Sequence, residues 1–255
     1  MSEPVVSVRD VTVSYGGSVV LEAVGFDVAP GEVFGILGGS GAGKTSLLRC
    51  LIGLKRPASG EILVGGESIV KASGEGRLRL LRRLGVAFQG GALLGNRTVL
   101  ENVRFPLDEL TDLPEGERDR RAAEKLGMVG LAAAAGRYPS EISGGMVKRA
   151  ALARALALDP PLVFLDEPSA GLDPITAASL DRLILDLSRR LGVTVVVVTH
   201  ELASVFAILE RVVILAADRK GIVAEGDPRE LRESAGDPWV RRFLRREAVP
   251  EEAPS

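Results

Sequence analysis

The run Gly38-Gly39-Ser40-Gly41-Ala42-Gly43-Lys44-Thr45 has the spacing G-x-x-x-x-G-K-[ST]. Glycines at such positions let successive backbone N–H groups turn inward onto phosphate oxygens without Cβ clashes. A short apolar segment, Val33 to Leu37, precedes the run, and a helical pattern from Lys44 through Ser46 to Ile52 follows it. A helix beginning there adds its N-terminal partial charge to the cradle. In that context Lys44 reaches the β- and γ-phosphates of a nucleotide, and Thr45 offers its hydroxyl to Mg2+. The chemistry implied is ATP binding and hydrolysis, with Mg2+ as cofactor.

Four further positions extend this chemistry. Leu162-Val163-Phe164-Leu165 ends in Asp166-Glu167, so an apolar strand would deliver two carboxylates beside the glycine loop. Asp166 could then hold Mg2+ through water and Glu167 polarise the attacking water; the bland alternative is a solvated turn. His200, the chain's single histidine, follows the β-branched run Val193 to Thr199 and falls at the same carboxyl edge. That edge is where open α/β sheets bind ligands. His200 reads either as a contact that reports the γ-phosphate or as a cap on a helix starting near Glu201. Gln89 follows Val86-Ala87-Phe88 in the same manner, and Tyr15 lies between two early strands, where its ring could stack on adenine. Either residue also reads as an ordinary strand-end side chain.

A second anion-binding pattern appears about 100 residues after the first: Ile142-Ser143-Gly144-Gly145-Met146, heading a helical run from Val147 to Leu158. Two glycines and a serine before a helix resemble the phosphate loop in design. Since one nucleotide already has its loop, Ser143, Gly144 and Gly145 make sense if they serve another. A homodimer in which each ATP site takes one loop from each chain supplies that arrangement.

The elements that position these residues follow from hydrophobic period. Val5 to Ser14 and Ser18 to Val28 predict antiparallel strands joined at Gly16-Gly17. Glu61 to Val64, Gly85 to Phe88, Leu162 to Leu165, Val193 to Val198, Val212 to Leu215 and Ile222 to Ala224 predict further strands, and Pro174 to Leu191 an amphipathic helix. Residues from about 91 to 157 show no convincing β pattern and predict a helical subdomain. The expected fold is therefore α/β, a P-loop NTPase core around a mostly parallel sheet, with an N-terminal antiparallel β subdomain. One ATPase domain is expected over residues 1–246, and residues 247–255 read as a disordered tail. The short Arg-rich helix before it, Trp239 to Arg246, reads as docked on the domain or as a contact to lipid headgroups or a partner.

Composition excludes several classes. The chain has 255 residues, 32 Lys and Arg against 34 Asp and Glu, and so no basic excess for nucleic acid. Aromatics make up 4%, which requires an aliphatic core. The single cysteine, Cys50, sits in an apolar run and reads as a buried, inert thiol. The longest uncharged stretch, Leu84 to Asn96, carries four glycines and is shorter than the ~20 apolar residues a membrane span needs. A soluble chain is expected, with any membrane spanning left to a partner.

In order, Tyr15, the phosphate loop, Gln89, Ser143-Gly144-Gly145, Asp166-Glu167, Ser169-Ala170-Gly171-Leu172-Asp173 and His200 resemble the landmarks of ABC transporter nucleotide-binding subunits, from about Val5 to Ala224. The resemblance implies that Glu167 is the catalytic base, His200 the switch residue, and Asp173 a contact across the dimer. It implies that Ser143 and Gly145 close on the partner's γ-phosphate. It also places Gln89 with the catalytic, nucleotide-binding and metal-binding residues. Ile142 and Met146 depart from the usual Leu-Ser-Gly-Gly-Gln signature, so any contact made by that glutamine amide is lost. The run Ser143 to Ala155, with Phe88 to Leu94, Glu101 to Leu107 and Leu172 to Thr176, is similar to the Mla-type and Mce-associated ATPases. These energise movement of phospholipid or other lipids between bacterial membranes. The resemblance implies integral membrane permease subunits that touch Gly90 to Pro106, an Mce-type substrate-binding protein, and a cytoplasmic position on the inner face of the plasma membrane. The competing expectations are an importer ATPase for a small polar solute, a ribosome- or DNA-acting ABC ATPase, and a small-molecule kinase with a P-loop.

Overall fold

The computed structural model describes residues 3–247. Residues 248–255, most of the expected tail, lie outside the described residues.

The N-terminal strands β1 (Val6–Tyr15) and β2 (Ser18–Val28) pair antiparallel, as their alternation predicts. They join β4 (Ser59–Val64) and the two-residue β5 (Glu67–Ser68) in the order β2-β1-β4-β5. The second sheet holds β3 (Val33–Gly38), β6 (Leu84–Ala87), β7 (Leu162–Asp166), β8 (Thr194–Val198), β9 (Arg211–Ala216) and β10 (Gly221–Gly226). Its order is β10-β9-β3-β8-β7-β6, parallel throughout except for the antiparallel edge strand β10.

The central strands read as unbroken apolar runs because both of their faces are covered. Successive residues feed opposite cores. Phe34, Ile36, Phe164, Val196 and Val198 pack on the side of α1 (Lys44–Leu51) and the antiparallel sheet. Leu37, Val163, Leu165, Val195 and Val197 pack with residues of the helical side. Cys50 is buried on α1, as its apolar neighbours require.

That helical side contains α3 (Val99–Leu110), α4 (Glu115–Met128), α5 (Gly144–Ala155) and α6 (Pro174–Leu191). The segment expected to be helical from residue 91 is irregular as far as Thr98. There a capping box starts α3: the Thr98 hydroxyl accepts from the Glu101 N–H at 3.2 Å, and the Glu101 carboxylate accepts from the Thr98 N–H at 2.7 Å. Three elements were not legible: β5, α2 (Gly74–Arg82) and α8 (Pro228–Ser234). In α2 only Leu80 is fully buried, so two glycines and three arginines conceal its period. The helix expected near Glu201 is α7 (Leu202–Ile208).

The C-terminal helix α9 (Pro238–Arg245) is docked. Val240 and Leu244 are buried, and Trp239 stacks on Phe243 with centroids 5.3 Å apart. On its basic face, Arg245 donates to the Arg232 carbonyl at 3.1 Å and to Glu233 Oε2 at 3.0 Å.

Candidate active site

Register carries the chemistry to one sheet edge. Val198 of β8 lies beside Ile36 of β3 and beside Asp166 of β7, so the chain beyond each strand emerges at the same end. From β3 the chain enters the glycine loop. Gly43 caps α1 with φ of 91°, and a Cβ there would fall 2.8 Å from Leu21 Cγ, so glycine satisfies both the turn and the packing. Ala42 is buried in the core beneath the loop. Lys44 Nζ donates to the carbonyls of Gly38 at 2.8 Å and Gly39 at 3.2 Å. Burial lowers the Lys44 pKa, opposed by the nearby charges of Glu167 and Asp166.

From β7 come the two acids. Burial and the Glu167 charge raise the Asp166 pKa, while Lys44, Lys148 and Arg49 pull it back. Glu167 is 7% exposed and adopts φ of 46°, a left-handed conformation that costs a non-glycine residue about 1–3 kcal/mol. A net of hydrogen bonds fixes it. Its N–H donates to the Val198 carbonyl at 2.8 Å, and Oε2 accepts from the Thr199 hydroxyl at 3.0 Å. Oε1 lies 2.6 Å from His200 Nδ1.

A cleft of about 730 Å3 opens over this edge. The loop residues Gly39, Ser40, Gly41, Lys44 and Thr45 line it, together with Gln89, Asp166, Glu167 and His200, and Phe243 and Arg246 reach it from the C-terminal end. Tyr15 is not in its lining; it stands exposed, with Lys55 Nζ 3.9 Å from its ring centroid. The Ser46 hydroxyl beside it holds the phenol pKa below its ordinary value.

Ser143, Gly144, Gly145 and Asp173 are likewise absent from the cleft lining and gather elsewhere. Ser143 caps α5, its hydroxyl accepting from the Met146 N–H at 3.4 Å. Asp173 caps α6 by accepting from the N–H groups of Ile175 at 3.1 Å and Thr176 at 3.0 Å. The two helix starts touch. A Cβ on Gly145 would fall 2.7 Å from Thr176 Cγ2, and one on Gly144 would meet Leu172 Cδ2 at 4.0 Å.

Two polar residues that bond Glu167 were not read from the sequence. Thr199, fully buried, orients Glu167. Lys148 donates to the carbonyls of Gln89 and, at 3.1 Å, of Glu167. Burial lowers the Lys148 pKa against the opposing charges of Glu167 and Asp166. A signal for Lys148 was present, since Lys148, Ala151, Leu152 and Ala155 recur at i, i+3, i+4 and i+7 and put one lysine on the apolar stripe of α5.

For a divalent cation the donor set fits. Thr45, Asp166 and Gln89 face one cleft, and the described residues hold no group of three or more His, Cys, Asp or Glu that would cage an ion by themselves. Few protein ligands suit Mg2+, which keeps water and takes phosphate oxygens.

A glycine loop between β3 and α1, a histidine beyond the neighbouring strand and an acid pair on the next define a phosphate-loop nucleoside triphosphatase. The family model described as ABC transporter matches residues 21–170. Intermembrane phospholipid transport system ATP-binding protein MlaF of Escherichia coli is 44% identical over 239 residues, 94% of this chain and 88% of that protein. Methionine import ATP-binding protein MetN of Caulobacter vibrioides is 41% identical over 242 residues, 94% of this chain and 72% of that protein. The dimeric post-hydrolysis structure of the ATP-binding cassette MJ0796, bound to ADP and Pi, matches with a TM-score of 0.78 at 32% identity, covering 87% of this chain and 98% of that one. The chain belongs to the ABC transporter family and is an ATP-hydrolysing, nucleotide-binding subunit of it. The expected α/β fold is the observed one.

Proposed function

We propose that this subunit hydrolyses ATP as a homodimer with two composite sites and powers lipid movement through separate membrane subunits. The observation that carries the dimer is the place of Ser143 and Gly145. They form a preorganised anion-binding helix start outside the cleft their own chain builds, beside the Asp173 cap. A second copy facing the first gives that helix start a γ-phosphate to close on and gives Asp173 a place across the interface. The dimeric MJ0796 structure supports this reading.

Within each site, Lys44 and the loop amides neutralise phosphate charge, and Tyr15 stacks on adenine. Thr45, Asp166 and Gln89 would hold Mg2+, and the ion would supply charge stabilisation at the phosphates. Glu167 accepts the proton of the attacking water, held in place by Thr199 and His200.

Lipid cargo rests on the likeness to MlaF and on the Phe88–Leu94 and Glu101–Leu107 segments. The irregular stretch after Gln89 suits a permease contact because it is pinned from beneath. Arg154 donates to the carbonyls of Gly91 at 2.8 Å and Ala92 at 2.7 Å, and buried Asn102 accepts from the Leu94 N–H at 2.7 Å. No helix among the described residues is long and apolar enough to cross a membrane. In this reading, which the likeness to MlaF supports, the chain acts from the cytoplasmic face of the inner membrane, on a permease with an Mce-type binding protein.

The test is purification of the complex on a tagged subunit and its reconstitution into liposomes. ATP-dependent transfer of a fluorescent phospholipid supports the reading. ATP-dependent uptake of a small polar solute such as methionine, with no lipid transfer, overturns the cargo assignment and favours the MetN-like alternative.

A further inference from the structure

Ser143 caps helix α5, which carries Lys148 about 7.5 Å further along its axis. Lys148 borders a small gap lined by Ala87, Phe88, Ala151, Leu152 and Leu165, and its ammonium lies between the chain ends that follow β6 and β7. There it donates to the carbonyl of Gln89 and to that of Glu167, the latter at 3.1 Å. Both partners are main-chain atoms of residues whose side chains face the nucleotide cleft. One of them, Glu167, holds a left-handed φ of 46°. A single cation thus sets the spacing of two cleft residues from outside the cleft; Lys148 is not in its lining.

We propose that Lys148 is a positioning residue for hydrolysis, fixing Gln89 and Glu167 relative to each other and to the helix that presents Ser143. The first half of this inference stands on one chain. The second half rests on the composite-dimer reading: Ser143 would act on one nucleotide while Lys148, on the same rigid helix, adjusts the base for the other. The two sites would then turn over cooperatively because one helix serves both.

Lys148→Met keeps the apolar stem and removes the donor, and Lys148→Arg keeps a donor. With Lys148→Met, kcat is expected to fall about tenfold with KM for ATP changed less than about twofold, and Lys148→Arg to recover most of kcat. The Hill coefficient for ATP is expected above 1 in the parent and near 1 in Lys148→Met. A Lys148→Gln variant run in parallel decides the matter if the Met variant folds poorly, as judged by its melting curve. Unchanged kcat in Lys148→Met, or equal loss in Met and Arg variants of normal melting temperature, overturns the positioning role. If Glu167→Gln forms no dimer with ATP, the composite reading falls, while the kcat loss and its Arg rescue still decide the role of Lys148 at Gln89 and Glu167.

Discussion

His200 Nδ1 and Glu167 Oε1 are 2.6 Å apart, and the second oxygen of the same carboxylate is bonded to Thr199. The residue proposed to take a proton from water and the residue proposed to report the γ-phosphate are thus one hydrogen-bonded unit, fixed at the ends of adjacent strands. Glu167→Gln should lower turnover by at least about 100-fold, since a positioned general base contributes that much or more. ATP affinity should hold within a few-fold, and the variant should accumulate as an ATP-dependent dimer in size-exclusion chromatography. Turnover near that of the parent would remove Glu167 from the role of base.

Ser143 offers a way to separate capping from catalysis. As a helix cap alone, Ser143→Ala would cost about 1 kcal/mol and a small drop in melting temperature. As half of a neighbour's phosphate site, it should lower kcat by at least about tenfold at saturating ATP while binding of ATP to the monomer persists. Calorimetry and steady-state kinetics on one preparation distinguish the two outcomes. A modest stability loss with unaltered kcat would leave Ser143 a cap and nothing more.

Asn102 is fully buried, with Oδ1 accepting from the Leu94 N–H and Nδ2 sharing its two hydrogens among the carbonyls of Leu94 at 3.0 Å, Arg97 at 3.1 Å and Thr98 at 2.9 Å. Asn102→Ala removes the partner of the Leu94 N–H and of the Arg97 carbonyl, while the Leu94 and Thr98 carbonyls keep the N–H groups of Arg97 and residue 102, at a cost of about 3 kcal/mol. In a chain of this size that corresponds to a melting temperature lower by roughly 6–12 °C. If the stretch after Gln89 meets the permease, the variant should also lose membrane recovery before it loses ATP binding.

Asp181 is buried on α6, and its Oδ1 has no hydrogen-bond partner among the described residues. Burial raises its pKa above the ordinary 3.8, with the Ser204 hydroxyl partly opposing. The folded state therefore holds this proton more tightly than the unfolded chain. The resulting stability is complete below the ordinary value and is lost as pH rises through the raised one. Asp181→Asn should melt a few degrees above the parent at pH 8, and the gap should close as pH falls toward 4. A gap independent of pH would show that the carboxyl is not paying for its burial as a charge.

The parts legible in the sequence are those whose residues are consecutive. Gly38 to Thr45 states its own loop, and Leu162 to Glu167 states both a strand and the acids at its end. His200 was placed at the correct edge because the apolar run before it had to be a strand. What the sequence hid is pairing. β3 takes β8 and β9 as neighbours from more than 150 residues away, and β10 turns antiparallel at the edge. No local period encodes either choice. Lys148 escaped for a related reason: its partners are backbone carbonyls, which every sequence contains. Gly145 was read for its N–H, yet its side-chain-free surface also admits Thr176 of the next helix.

Arg154, near the far end of α5, grips the carbonyls of Gly91 and Ala92. The helix is 12 residues long, about 18 Å, and beyond its opening pair Gly144-Gly145 it has no glycine or proline to absorb a load. Such a helix would work as a rocker arm, strapped at one end to the stretch after Gln89, held near its middle by Lys148, and ending in Ser143. A push of an ångström delivered to residues 91–97 from outside would be spent on tilting this arm before it bent the six-stranded sheet. Ser143 would be displaced while the phosphate loop stayed still.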